Sequence, residues 1–139
     1  MRSVSVNCLD TNALIDYLEG IESIGHYLES HHDEPYFAPT IALHEVYVGA
    51  ARHKGETAVA EARDDLDWVT PLPFTEDAAA EAAVISADLY GEGQPISALD
   101  TLIAGSARDE NATLITADAH FDRVEGLDVE NYREDADGD

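Results

Sequence analysis

Positive charge is what this chain most conspicuously has little of. Seven lysines and arginines stand against 30 acidic residues in 139, a formal charge of −23, and Lys54 is the sole lysine. That deficit argues against the usual electrostatic capture of nucleic acid, in which a basic face displaces counterions. Cysteine is almost absent too. With Cys8 alone there can be no internal disulfide, zinc ribbon or CxxC redox pair, and Cys8 reads as a small buried residue of a strand. No apolar run approaches the roughly 20 residues of a membrane span. Met1-Arg2-Ser3 leads into a strand-like run rather than a signal peptide, so a cytoplasmic protein without membrane attachment is expected.

What remains is an ordinary globular composition, 45% apolar, enough for a modest core and one domain over residues 1–133. Residues 134–139 form an acidic tail expected to be disordered. The acids are spread along the whole chain, from Glu19 and Glu22 to Asp109 and Glu110. Such a distribution suits a surface adapted to molar salt better than one acidic face for a basic partner or metal. At 1 M salt the Debye length is about 3 Å, so repulsion among the acids, and between them and RNA, is largely screened. A halophilic source follows as an expectation.

Val4 to Leu9 alternates apolar and polar residues and ends in Asp10-Thr11-Asn12, which reads as strand, turn and helix start. Helical periodicity follows to Gly20 and again through Ile21, Ile24, Tyr27 and Leu28. Tyr36-Phe37-Ala38 reads as a short strand, Pro39-Thr40 opens a helix through Gly49, and a further helix spans Glu56 to Leu66. Trp68 to Phe74 contains two prolines and suits an edge strand. An alanine-rich helix runs from Thr75 to about Tyr90. Ser97 and Asp100 resemble a capping box opening a helix that ends at Asn111. Ala112 to Thr116 is a strand stopping before Asp118, and Leu127-Asp128-Val129 is a last one. Strands alternating with helices indicate an α/β domain, an open, mostly parallel sheet of four or five strands with helices on both faces.

Ligands in such a sheet bind beyond the carboxyl ends of the strands, where Asp10 and Asp118 fall. Each also occupies a helix start, so a simple capping role is the competing reading. Glu45 shares a helical stripe with Ile41, Val48 and Gly49 and should face inward, which requires a metal or a salt bridge, with Arg52 as the available cation. Asp100 is explained by helix capping nearly as well as by chemistry. Carboxylates gathered at one edge repel unless cations neutralise them, and oxygen ligands suit Mg²⁺ or Mn²⁺. Two such ions can activate water and stabilise the leaving oxygen in phosphodiester hydrolysis.

Leu9-Asp10-Thr11-Asn12, Leu43-His44-Glu45-Val46, Asp100-Thr101-Leu102-Ile103-Ala104 and Thr116-Ala117-Asp118 with Phe121-Asp122, in this order and over nearly the whole chain, resemble the PIN-domain nucleases, most closely the VapC-like toxins of type II toxin–antitoxin pairs. The resemblance implies a PIN fold, an acidic quartet of Asp10, Glu45, Asp100 and Asp118 holding Mg²⁺ or Mn²⁺, and in-line hydrolysis of RNA that leaves 5′-phosphates. It implies supporting polar roles for Asn12 and Thr116, and an extra acid near a second metal in Asp122, for which pairing with Arg123 is the plainer alternative. A homodimer and a small antitoxin partner are implied as well. The extreme acidity departs from the family and leaves few candidates for RNA contact: Arg52, His53, Lys54 and Arg108.

Three other readings compete. Phosphoryl transfer through an aspartyl-phosphate would also use an Asp after the first strand, but Asn12 stands where haloacid-dehalogenase-like phosphatases need a second Asp, and no late lysine suits a receiver-like domain. A metal-independent ribonuclease would use histidines, yet none of His26, His31, His32, His44, His53 and His120 forms an evident acid–base pair. The third is a non-catalytic PIN-like domain for RNA processing or protein interaction, against which the intact quartet weighs.

Overall fold

The computed structural model describes residues 6–137. Val4 and Ser5, expected in the first strand, lie outside them, as do Gly138 and Asp139 at the end of the acidic tail. The elements run β1 (Asn7–Leu9), α1 (Thr11–Leu18), α2 (Glu22–Ser30), β2 (Tyr36–Pro39), α3 (Thr40–Asp65), β3 (Val69–Leu72), α4 (Glu76–Gly91), α5 (Ala98–Asp109), β4 (Thr113–Thr116), a 3-10 turn (Ala119–Arg123), β5 (Asp128–Asn131) and α6 (Tyr132–Asp137).

The five strands form one sheet in the order β3-β2-β1-β4-β5, and every pairing is parallel. Cys8, Leu9, Leu114 and Ile115 on the two central strands are all within 1% of full burial, the consecutive apolar pattern of strands covered on both faces. From β1 the chain steps outward through β2 to β3, then returns across the sheet to β4 and β5. Right-handed crossovers therefore set α1 to α3 on one face and α4 and α5 on the other. The direction of winding reverses between β1 and β4, so the crevice at their carboxyl ends is the switch point where such folds bind ligands.

Local chemistry accounts for most boundaries. Asp10, Thr75 and Ser97 cap α1, α4 and α5, each accepting a backbone N–H three residues on, which satisfies donors the helix itself leaves open. Asn111 ends α5 with φ of 53°, a conformation asparagine tolerates better than most residues. The two helices expected over 40–49 and 56–66 form one long α3, interrupted where Lys54 and Gly55 leave helical geometry. Gly55 has φ of 70°, which glycine adopts without steric cost. Pro71 lies in β3, an edge strand paired only with β2, where a missing N–H is tolerated.

Cys8 is fully buried in β1, and burial, with a smaller contribution from Glu110, pushes its thiol up to about 12; it is a packing residue without nucleophilic character. Ile21, expected on an inward helical face, precedes α2 and is 40% exposed. The stretch expected as a disordered tail begins inside α6. Tyr132 anchors this helix: fully buried, it donates its hydroxyl to Asp16 of α1 at 2.5 Å, a tertiary bond that no local pattern announces. Among the described residues no helix is long and apolar enough to cross a membrane.

Candidate active site

β1 delivers Asp10 and β4 delivers Thr116, and the register Leu9↔Ile115 sets the two side by side. Asp10 is 2% exposed. Its Oδ1 accepts the Ala13 N–H at 2.8 Å and its Oδ2 accepts the Thr116 hydroxyl at 2.5 Å. Thr116 in turn accepts the Asp118 N–H at 2.9 Å, so one hydroxyl ties the two strand-end acids together. Asp118 caps the 3-10 turn, its Oδ1 accepting the His120 N–H at 2.9 Å, with His120 Nδ1 also 2.9 Å away. Asp100 stands in the first turn of α5, where its N–H is bound by Ser97 at 3.2 Å. Glu45 of α3 accepts the Thr11 hydroxyl at 2.6 Å.

The four acids sense one another. Burial raises the Asp10 carboxyl from 3.8 to about 6; the bonds from Thr116 and Ala13 oppose this, and the charges of Asp100 and Asp118 add to it. Asp100 is also raised, first by burial, with further repulsion from Asp118 and Glu45, against the opposing effects of Ser97 and His120. Capping and convergence on a site are compatible at Asp118, because a carboxylate has two oxygens and the cap uses one. At Asp118 no hydrogen bond to the second oxygen is described.

Among the described residues no three acidic, histidine or cysteine side chains stand at ready-made ligand spacing. The donor chemistry nonetheless fits a hard divalent cation: an oxygen set in which Asp10 is 2% exposed and, among the described residues, has no basic partner.

The remaining expected residues divide. Thr116 is central, 1% exposed. Asn12 is exposed on α1, and Asp122 is exposed on the 3-10 turn with no described bond to the quartet. Arg123 does not pair with Asp122; it donates to the Pro95 carbonyl at 3.1 Å. Nor does Arg52 pair with Glu45, which is half-buried rather than inward-facing and takes a hydroxyl instead. Arg52 and Lys54 are exposed and free of ion pairs among the described residues. Arg108 is otherwise engaged: Nε meets Glu81 of α4 at 2.7 Å and an NH group donates to the Glu125 carbonyl at 2.9 Å. It also lies eight residues beyond Asp100 on α5, about 12 Å along the axis. Arg108→Gln is expected to lower stability by about 1 kcal/mol, which urea denaturation checks. Thr11 and His120 were not singled out as site residues from sequence. Thr11 lies within the Asp-Thr-Asn triplet, but nothing local links it to an acid 34 residues away.

A family model, the PIN domain, matches residues 8–127. The chain is 30% identical over 126 residues to Ribonuclease VapC1 of Rickettsia felis, covering 87% of this chain and 92% of that protein. It is 28% identical over 95 residues to the tRNA(fMet)-specific endonuclease VapC of Shigella flexneri, covering 67% and 72%. Among solved structures, VapBC2 from Rickettsia felis bound to a promoter DNA fragment superposes with a TM-score of 0.83 at 25% identity, covering 91% of this chain and 98% of the other. FitAcB from Neisseria gonorrhoeae gives 0.79 at 27% identity, covering 91% and 97%.

Proposed function

The chain belongs to the PIN domain family, and from that premise we propose that it is a metal-dependent endoribonuclease, the toxin of a toxin–antitoxin pair, acting in the cytoplasm as a single-domain homodimer. The observation that carries the chemistry is the pairing of two strand-end acids at the switch point of the sheet: Asp10, 2% exposed, and Asp118 are tied together through the Thr116 hydroxyl. A buried carboxylate with no basic partner is retained at a cost, and a site that binds a cation recovers that cost.

Asp10, Asp100, Asp118 and Glu45 are the residues that would hold Mg²⁺ or Mn²⁺. When bound, the cation would supply Lewis-acid activation of water and neutralise charge developing on the phosphodiester oxygens. The chain's own part is to orient. Thr116 fixes Asp10 and, through the Asp118 N–H, the turn that carries Asp118. Thr11 holds one oxygen of Glu45. RNA is the substrate under this reading, with Arg52 and Lys54 as candidate phosphate contacts.

The antitoxin partner has a candidate seat. A groove of about 620 Å³ between α1 and α3 has an apolar floor that includes Ile15, Leu18 and Val46, and a rim on which the acids Glu19, Glu61 and Asp65 outnumber Lys54. That combination suits a basic amphipathic segment. The acidic surface reads as adaptation to high salt, so the activity test belongs there. Cleavage of tRNA and rRNA fragments with Mn²⁺ is expected at molar KCl and to weaken in 50 mM KCl, to stop in excess EDTA, and to yield 5′-phosphate ends. Undiminished cutting in EDTA or 2′,3′-cyclic phosphate ends would favour the histidine mechanism instead; metal binding with RNA left intact would favour a non-catalytic PIN-like domain.

A further inference from the structure

We propose that His120 is a nitrogen ligand of the cation site beside Asp118, and that it biases this site toward Mn²⁺ over Mg²⁺. The inference rests on the metal-dependent reading above and adds to it a residue that reading does not use. His120 Nδ1 lies 2.9 Å from Asp118 Oδ1. That oxygen already accepts the His120 backbone N–H at 2.9 Å, so the backbone alone secures the turn and the ring is not needed to hold Asp118 in place. Two ligands on adjacent corners of an octahedral ion, each about 2.1 Å from it, stand about 3 Å apart. The observed separation therefore matches one edge of such a coordination shell. The ring is 59% exposed, free to adjust when an ion arrives.

The other histidines serve as contrasts. His31 and His32 contact the carbonyls of Tyr27 and Glu29 through Nδ1. His44 is exposed and has no described contact with a strand-end acid. His32 also meets an acid, Asp33 at 3.2 Å, but both side chains are largely exposed and lie away from the sheet's carboxyl edge, so this pair is the natural control. Imidazole suits transition metals, whereas Mg²⁺ prefers oxygen and keeps its waters. One nitrogen in an otherwise oxygen set therefore distinguishes the two ions.

The test is metal binding by the full chain, without RNA. Mn²⁺ is titrated by electron paramagnetic resonance of the free ion and Mg²⁺ by competition, and pulsed spectra of bound Mn²⁺ are read for ¹⁴N coupling. Wild type and His32→Gln are expected to show histidine nitrogen coupling. His120→Gln is expected to lose it, with Mn²⁺ affinity falling roughly 10- to 100-fold and Mg²⁺ affinity changing much less. Bound Mn²⁺ without nitrogen coupling, or an equal loss for both ions in His120→Gln, would overturn the proposal and leave the carboxylate site standing. A wild-type protein that binds neither ion would overturn the metal-dependent reading and this inference with it.

Discussion

Asp10→Asn is expected to abolish RNA cleavage, by roughly a thousandfold or more, while making the metal-free protein more stable. The catalytic loss follows from removing the most buried charge of the proposed cation site; about 4 kcal/mol of lost transition-state stabilisation corresponds to a thousandfold. The gain in stability follows from burial. Asp10 is raised from 3.8 to about 6 chiefly by desolvation, so the folded protein holds this proton more tightly than the unfolded chain does. The sign is therefore that of a penalty: nil below about pH 4, growing between pH 4 and 6, and complete above pH 6, where it amounts to about 3 kcal/mol. Asparagine keeps an oxygen for the Ala13 N–H and can donate to Thr116, so the cap survives. Urea denaturation in EDTA should show the variant more stable than wild type at pH 7.5, with the difference vanishing near pH 4. Saturating Mn²⁺ should narrow or reverse the gap, because a ligand that binds only the native state stabilises it by mass action. A stability difference independent of pH would refute the electrostatic account, and robust cleavage by the variant would refute the catalytic one.

The second large effect concerns the helix that carries Asp100. A Cβ built on Gly105 of α5 would lie 2.7 Å from Ala82 Cβ and 2.8 Å from both the Ala78 carbonyl oxygen and the Ala82 nitrogen of α4. Two of these atoms are backbone and cannot rotate away, so any side chain at 105 must push the helices apart. Gly105→Ala sets a helix-propensity gain of about 1 kcal/mol against an overpacking cost of about 1–3 kcal/mol. Gly105→Val adds two methyl groups to the same overlap and is expected to cost more than about 3 kcal/mol, a large share of the 5–15 kcal/mol typical of a domain. The measurement is the urea midpoint, with Gly49→Ala as control: nothing lies within 4 Å of a Cβ there, and the change should be neutral or slightly stabilising. Any folded Gly105→Val protein should also cleave RNA poorly, since displacing α5 moves Asp100 relative to Asp118. A Gly105→Val midpoint equal to that of wild type would show that α4 yields freely.

By itself the sequence determined the features that repeat or act locally. Short β-rich runs bounded by turn residues located all five strands, and helical periodicity located the main helices, because both signals arise within a few residues whatever the tertiary partner. Pro71 marked an edge strand through its missing donor. Asp10 and Asp118 were placed at strand ends by the turns that follow them, and the motif order pointed to the PIN family. Only the tertiary structure decided what depends on residues far apart in the chain meeting in space. Thr116 reaches Asp10 across 106 residues, Thr11 rather than Arg52 partners Glu45, and Arg108 is committed to Glu81. Tyr132, at the start of α6, is held on Asp16 across 116 residues. The close approach of α4 to Gly105 belongs with these. Propensity and pattern arise within a few residues of chain, whereas a hydrogen bond or a steric limit between elements is set by packing, which sequence spacing does not encode.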